Sequence, residues 1–215
     1  MGVRRWRDAG YFIVLACLCG ATTLAQAGAT EDYEAGAKAY AAEDVVGAMG
    51  KLKRAADSGH AAAQALLGDI LHQSEFNEDA VAYFRKSAEQ GNADGQYGLG
   101  TMYASGEGVK RDVALARKWI ALAAEQGHKQ ALNVYAQAYI SAELGLDEAA
   151  RHSAEALTWI KRAADNDYIP AIEAWAVASR SGDLGLAIDV KMADDLTAKA
   201  NKLRGLKKPV PAKKK

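Results

Sequence analysis

Cysteine is almost missing from this 215-residue chain: Cys17 and Cys19 stand alone, both close to the start. A chain relieved of its leader, residues 1–27, has no thiol. That excludes disulfide staples, thiolate metal sites and thiol catalysis. Proline is scarce too, at 170, 209 and 211, so no proline interrupts a helix before 170. Aromatics are few, and Ala dominates the apolar half of the composition. Ala-rich, Pro-poor stretches without runs of Val or Ile favour helix over strand. No apolar run reaches the roughly 20 residues needed to span a bilayer.

The formal charge of zero conceals a segregation. Residues 28–198 hold 16 basic and 26 acidic side chains, a net of −10, while residues 199–215 hold eight basic ones and no acid. An acidic body thus ends in a basic tail. At the other end, Arg4, Arg5 and Arg7 precede an apolar run from Tyr11 to Leu18 that continues more weakly to Leu24, then Ala25-Gln26-Ala27. This is the order of a signal peptide with cleavage near Ala27. It places the mature protein in the periplasm or outside the cell. Two weaker variants use the same residues: Arg4-Arg5 as a twin-Arg signal, and Cys17 as a lipoprotein acylation site.

What the chain does have is a repeat. Ala55-Ala56-Asp57-Ser58-Gly59, Ser87-Ala88-Glu89-Gln90-Gly91, Ala123-Ala124-Glu125-Gln126-Gly127 and Ala163-Ala164-Asp165-Asn166-Asp167 are variants of one segment, at spacings of 32, 36 and 40 residues. Small residues, an acid and then a residue tolerant of left-handed backbone read as a helix end. Tyr83-Phe84, Trp119-Ile120 and Trp159-Ile160 precede the small pair on amphipathic stretches, with Ala80, Ala116 and Ala156 at helical spacing before them. After each closure comes a second pattern: Leu67-Gly68, Leu99-Gly100 with Tyr103, Tyr135-Ala136 with Tyr139, and Trp175-Ala176. A Gly inside a helix costs about 1 kcal/mol relative to Ala, so its recurrence at one place implies close approach of a neighbouring helix.

Residues 93–128 resemble a near-complete Sel1-like repeat, through Leu99-Gly100-x-x-Tyr103, Gly106-x-Gly108-Val109-x-x-Asp112, Ala116-x-x-Trp119 and Ala123-Ala124-Glu125-Gln126-Gly127. The resemblance implies an all-α, right-handed α/α solenoid of about five helix-turn-helix repeats, related to tetratricopeptide repeats. It divides the chain into a signal peptide (1–27), an N-terminal capping repeat (28–60), Sel1-like repeats (61–92, 93–128, 129–168), a diverged C-terminal repeat (169–204) and a disordered basic tail (205–215). Its repeat-core signature is Leu67, Gly68, Leu99, Gly100, Tyr103, Gly106, Gly108, Trp119, Gly127 and Trp159.

The resemblance also implies an adaptor or scaffold in the cell envelope. The first helix of each pair lines the concave face in that family, and Tyr97, Thr101, Asn133 and Gln137 are its variable positions here. They are the candidate sites for a protein or peptide partner. The alternatives are an envelope enzyme or binder acting on wall peptide or β-lactam, as implied by a cysteine-rich branch whose paired cysteines this chain lacks, and a structural subunit of a secretion or polysaccharide-export assembly.

No catalytic motif accompanies the repeats: Gly-x-Ser-x-Gly, His-Glu-x-x-His and a phosphate loop are all missing. The expectation is therefore no enzyme, cofactor, metal site or nucleic-acid partner, and a monomer. His60 and His128 follow closing glycines and read as caps, while His72 and His152 have no partner at ligand spacing. The basic tail adds an expected weak contact with an anionic surface.

Overall fold

The structure, a computed structural model, describes residues 26–205. Residues 1–25 of the leader and 206–215 of the basic tail lie outside the described residues. Helix α1 covers 26–41. It is followed by α2 (Val45–Asp57), α3 (Ala61–Gln73), α4 (Asn77–Glu89), α5 (Ala93–Ser105), α6 (Val113–Glu125), α7 (Lys129–Ser141), the single turn α8 (Glu148–Arg151), α9 (Ala154–Asp165), α10 (Ile169–Ser181) and α11 (Val190–Leu203). They form five pairs, α1/α2, α3/α4, α5/α6, α7/α9 and α10/α11, each an A helix followed by a B helix.

One kind of stop ends the first four B helices. Gly59, Gly91 and Gly127 have φ of +88°, +81° and +83°, and Asp167 takes the same role at +61°. The amide after each bonds back five residues: His60 to Ala55, Asn92 to Ser87, His128 to Ala123 and Tyr168 to Ala163, at 3.0–3.2 Å. This closure satisfies carbonyls that the helix end would orphan, and it turns the chain within three residues. After the three glycine closures the next A helix starts on a side-chain cap, whereas α10 starts on Tyr168 without one. His60 and His128 accept through Nδ1 from the Ala63 and Ala131 amides at 3.2 and 3.1 Å, and Asn92 accepts from Gly95 at 3.0 Å. Four of the five B helices start on an acid or Ser, namely Asp44, Asp112, Ser153 and Asp189, whereas α4 starts on Phe76 without a side-chain cap.

Residue contacts divide the chain into two compact units, Met1–Gly98 and Leu99–Lys215. In the first, Ala55, Ala56, Ala63 and Leu67 pack with Tyr33, Met49, Leu71 and Tyr83. Ala48, Leu52 and Ile70 form a neighbouring cluster, and a Cβ on Gly36 of α1 would lie 2.8 Å from the Leu52 side chain. Phe84 is wedged between backbones, since a Cβ on Gly68 would lie 2.8 Å from its Cδ1 and one on Gly98 2.5 Å from the same atom.

In the second unit Gly100 plays the same part against Ile120, at 2.7 Å. Tyr135 meets Trp159 and Tyr139 edge to face, with centroids 4.9 and 5.4 Å apart. Arg162 stacks over Trp159 at 4.5 Å and donates to the Ala124 and Glu125 carbonyls at 3.0 and 3.3 Å, tying α9 to the end of α6.

Candidate protein-binding face

Small residues hold the A helices close to their neighbours, so most of each A helix is buried. One stripe on each stays accessible. On α5, Asp94, Tyr97 and Thr101 reach solvent while Gln96, Gly98, Leu99 and Gly100 do not. On α7 the stripe is Gln130, Asn133, Gln137 and Ile140, set among buried Leu132, Tyr135, Ala136 and Ala138. The repeat register Ala63/Gly95/Ala131/Ala171 extends these stripes to Asp69 on α3 and to Glu173 and Val177 on α10.

The four positions singled out from the sequence have unequal surroundings. Tyr97 is half-buried, and burial together with the nearby Asp69 charge raises its phenol. Thr101 is partly buried, one turn further along α5. Asn133 holds its Oδ1 out of solvent without a hydrogen-bond partner. Gln137 is fully engaged: Oε1 accepts from the Tyr168 hydroxyl at 3.0 Å, and Nε2 donates to Ser141 Oγ at 2.6 Å. Gln137 therefore braces the α7–α10 contact and offers a partner little of its amide.

Asp69 was not among the sequence candidates. Its carboxyl opens to solvent from a walled position. Burial first, and the Asp94 charge second, push it to about 6, against a smaller opposing pull from His72. It occupies the register position of Thr101 and Gln137, and that alignment was the signal that could have found it. Asp69, Asp94 and Tyr97 give the first unit's stripe an anionic, aromatic character. In the second unit the stripe is neutral and more apolar. Val177 is 66% exposed, and Glu173 forms a two-point ion pair with Arg204 at 2.5 and 2.8 Å.

The repeat-signature residues lie as follows. Leu67, Gly68, Leu99, Gly100 and Trp159 are buried, whereas Tyr103 and Trp119 keep part of their rings accessible, Trp119 beneath the Lys118 ammonium at 5.6 Å. Gly106, Gly108 and Gly127 all have positive φ. Among the described residues no group of three or more His, Cys, Asp or Glu side chains is placed to hold a metal ion. No described helix is long and apolar enough to cross a membrane.

Three stretches, 61–92, 93–128 and 134–168, match the Sel1 repeat. Over 86 residues the chain is 36% identical to DAP3-binding cell death enhancer 1 of Rattus norvegicus, a match covering 39% of this chain and 17% of that protein. Among solved structures, c5321 is described as a protective antigen present in uropathogenic Escherichia coli strains displaying an SLR fold. It superposes with a TM-score of 0.70 at 27% identity, over 81% of this chain and 38% of its own. A Sel1 repeat protein from Oxalobacter formigenes gives 0.70 at 28%, over 80% and 70%. The chain thus spans less than a fifth of the rat protein and well under half of c5321. Five helix pairs, a recurring closure and three matching stretches make this chain an all-α solenoid of Sel1-type, tetratricopeptide-like repeats.

Proposed function

We propose that this chain is an exported, non-catalytic scaffold that holds a protein or peptide segment against the accessible stripes of its A helices. The observation that carries this reading is the stripe itself. In helices otherwise buried by Ala, Gly and Leu, one row at helical spacing stays open and bears the side chains that differ from repeat to repeat. Solenoids bind partners through such surfaces.

The first unit's stripe suits a basic segment with an apolar or aromatic residue beside Tyr97, because Asp69 and Asp94 lie there. The second unit's stripe suits a segment with an aliphatic contact for Val177. Export rests on the Arg4–Ala27 leader, and anionic-surface contact on the Lys-rich tail.

Site-specific photo-crosslinking in an envelope extract tests the proposal. Crosslinkers at Tyr97 and Asn133 should trap one and the same partner. Crosslinkers at exposed B-helix positions, Arg85 and Lys118, should not. Equal trapping from both sets, or trapping from the B helices alone, refutes the A-helix reading.

A further inference from the structure

Two long turns of the second unit meet at one imidazole. The first, 142–153, carries α8 and leads to α9, and the second, 182–189, joins α10 to α11. His152 Nδ1 lies 3.0 Å from Asp183 Oδ1, and Nε2 lies 3.1 Å from Glu148 Oε1. Arg151 Nη1 donates to the same Glu148 oxygen at 3.3 Å. The charged groups around the ring are therefore Glu148 and Arg151 from its own turn and Asp183 from the other. Glu173, on the nearest face of α10, is paired with Arg204.

Asp183 also holds the backbone of its own turn. Its Oδ1 accepts from the Leu184 amide at 2.7 Å. Leu184 has φ of +56°, between Gly182 at +77° and Gly185 at +71°. A leucine in left-handed backbone is strained and needs something to hold it. The result is a side chain only 9% exposed that forms part of the wall of a hollow of about 360 Å³, together with Tyr139, Ile140, Ile160, Ala174 and Ala178. Arg151, His152 and Asp183 line the same hollow.

Both ring nitrogens face carboxylates. An imidazolium donates to both. A neutral ring has one N–H, so its other nitrogen presents a lone pair to a carboxylate. We propose that His152 is a proton-operated latch: charged, it donates to both carboxylates, fastens the 182–185 turn and holds Leu184 in the wall of the hollow; neutral, it keeps one of the two bonds, loosens that turn and lets this wall move.

The two carboxylates, Asp183 foremost, raise the His152 pKa above its ordinary 6.5, and His152 in turn lowers that of Asp183. A raised histidine contributes its contact in full below its unfolded value and loses it as pH rises through the folded one. The lowered Asp183 loses its share only in strong acid. The latch is thus shut below the ordinary histidine value of 6.5 and opens as pH rises through the raised folded value. A loosened wall widens the hollow beside Ile140 and Val177 for a partner's aliphatic or aromatic side chain. That last consequence rests on the proposed scaffold function, and the latch itself does not.

Methyl and imidazole NMR on the chain without any partner reads the latch directly. His152 should titrate with a midpoint above 6.5, and the Leu184 methyl resonances should move with the same midpoint. In Asp183→Asn the midpoint should fall toward the ordinary value. In His152→Gln the Leu184 methyls should hold one position between about pH 5 and 9. Leu184 resonances that stay still through the wild-type His152 titration, or that shift equally in His152→Gln, overturn the proposal. Because no partner is present, that failure is separate from failure of the crosslinking test.

Discussion

Two Gly→Ala substitutions, both inside helices, should have opposite signs. Gly98 on α5 and Gly68 on α3 press on the same Phe84 ring, which is 1% exposed. A Cβ at 98 would stand 2.5 Å from Cδ1 and 2.8 Å from Cζ, and the ring cannot retreat, because the Gly68 backbone occupies the other side. Helix propensity alone favours Ala by about 1 kcal/mol. Forcing a methyl into a filled core costs about 1–3 kcal/mol. Crowding at the upper end of that range outweighs propensity, so Gly98→Ala should destabilise by about 2 kcal/mol.

Gly50, in the middle of α2, is the contrast: a Cβ there would meet nothing within 4 Å. Gly50→Ala should gain the propensity undiminished, about 0.5–1 kcal/mol. Urea unfolding followed by circular dichroism measures both, as midpoint shifts at constant slope. Shrinking the ring with Phe84→Leu should relieve Gly98→Ala, with a coupling of about 1 kcal/mol in the double-mutant cycle. If Gly98→Ala stabilises as much as Gly50→Ala, the close-approach account of the repeat glycines is wrong.

Arg162→Ala removes the guanidinium stacked on Trp159 and both bonds to the α6 carbonyls. It should cost about 1–3 kcal/mol in thermal unfolding, whereas Arg162→Lys should recover the charge but little of the stability. Asp112→Ala deletes the cap on the Leu115 amide, 2.9 Å away, and should cost about 1 kcal/mol, with Asp112→Asn near neutral. Asp69, raised to about 6, binds more protons folded than unfolded between its ordinary 3.8 and that value. Stability should therefore fall as pH rises through this window, and Asp69→Asn should flatten that segment of a stability–pH curve. The same ionisation should tighten a basic partner above about pH 6, which titration of binding against pH would show.

The fold class was readable because its rules are local. A small pair, an acid and a left-handed residue announce a Schellman-type stop, and even Asp167 at φ +61° behaves as the spacing implied. The glycines at 68 and 100 were legible for the same reason, since a costly residue recurring at one register needs a neighbour's backbone to explain it.

Pairings between distant turns were not legible. Nothing near His152 in sequence hints at Asp183, 31 residues away: the two turns share Leu-Gly-Leu at 144–146 and 184–186, but His152 lies outside that shared stretch. Asp69 escaped for another reason. Hydrophobic patterning separates buried from exposed positions, and a carboxyl that is both open and walled is neither. Gln137 looked like a free polar position, and only the fold shows Tyr168 and Ser141 on either side of its amide.

The two kinds of joint in this chain differ in how much length they admit. Three residues separate each B helix from the next A helix at 58–60, 90–92, 126–128 and 166–168. The A-to-B connections instead run through three residues at 42–44 and at 74–76, seven at 106–112, twelve at 142–153 and eight at 182–189. Each B-to-A joint is a hydrogen-bonded closure, and at 58–60, 90–92 and 126–128 it also delivers the side-chain cap of the next helix, so an added residue would break both at once. The short A-to-B joints close in a similar way, Asp44 bonding back to Ala39 while capping α2 and Phe76 bonding back to Leu71. In the longer joints at 106–112, 142–153 and 182–189 the capping residue is not the one that makes a five-residue closure, and lengthening a loop costs little entropy. Growth of the chain is thereby channelled to these longer joints, where new sequence can be gained without retuning the helices. An inserted epitope after Gly145 should leave the fold intact, while the same insert after Gly127 should unfold it.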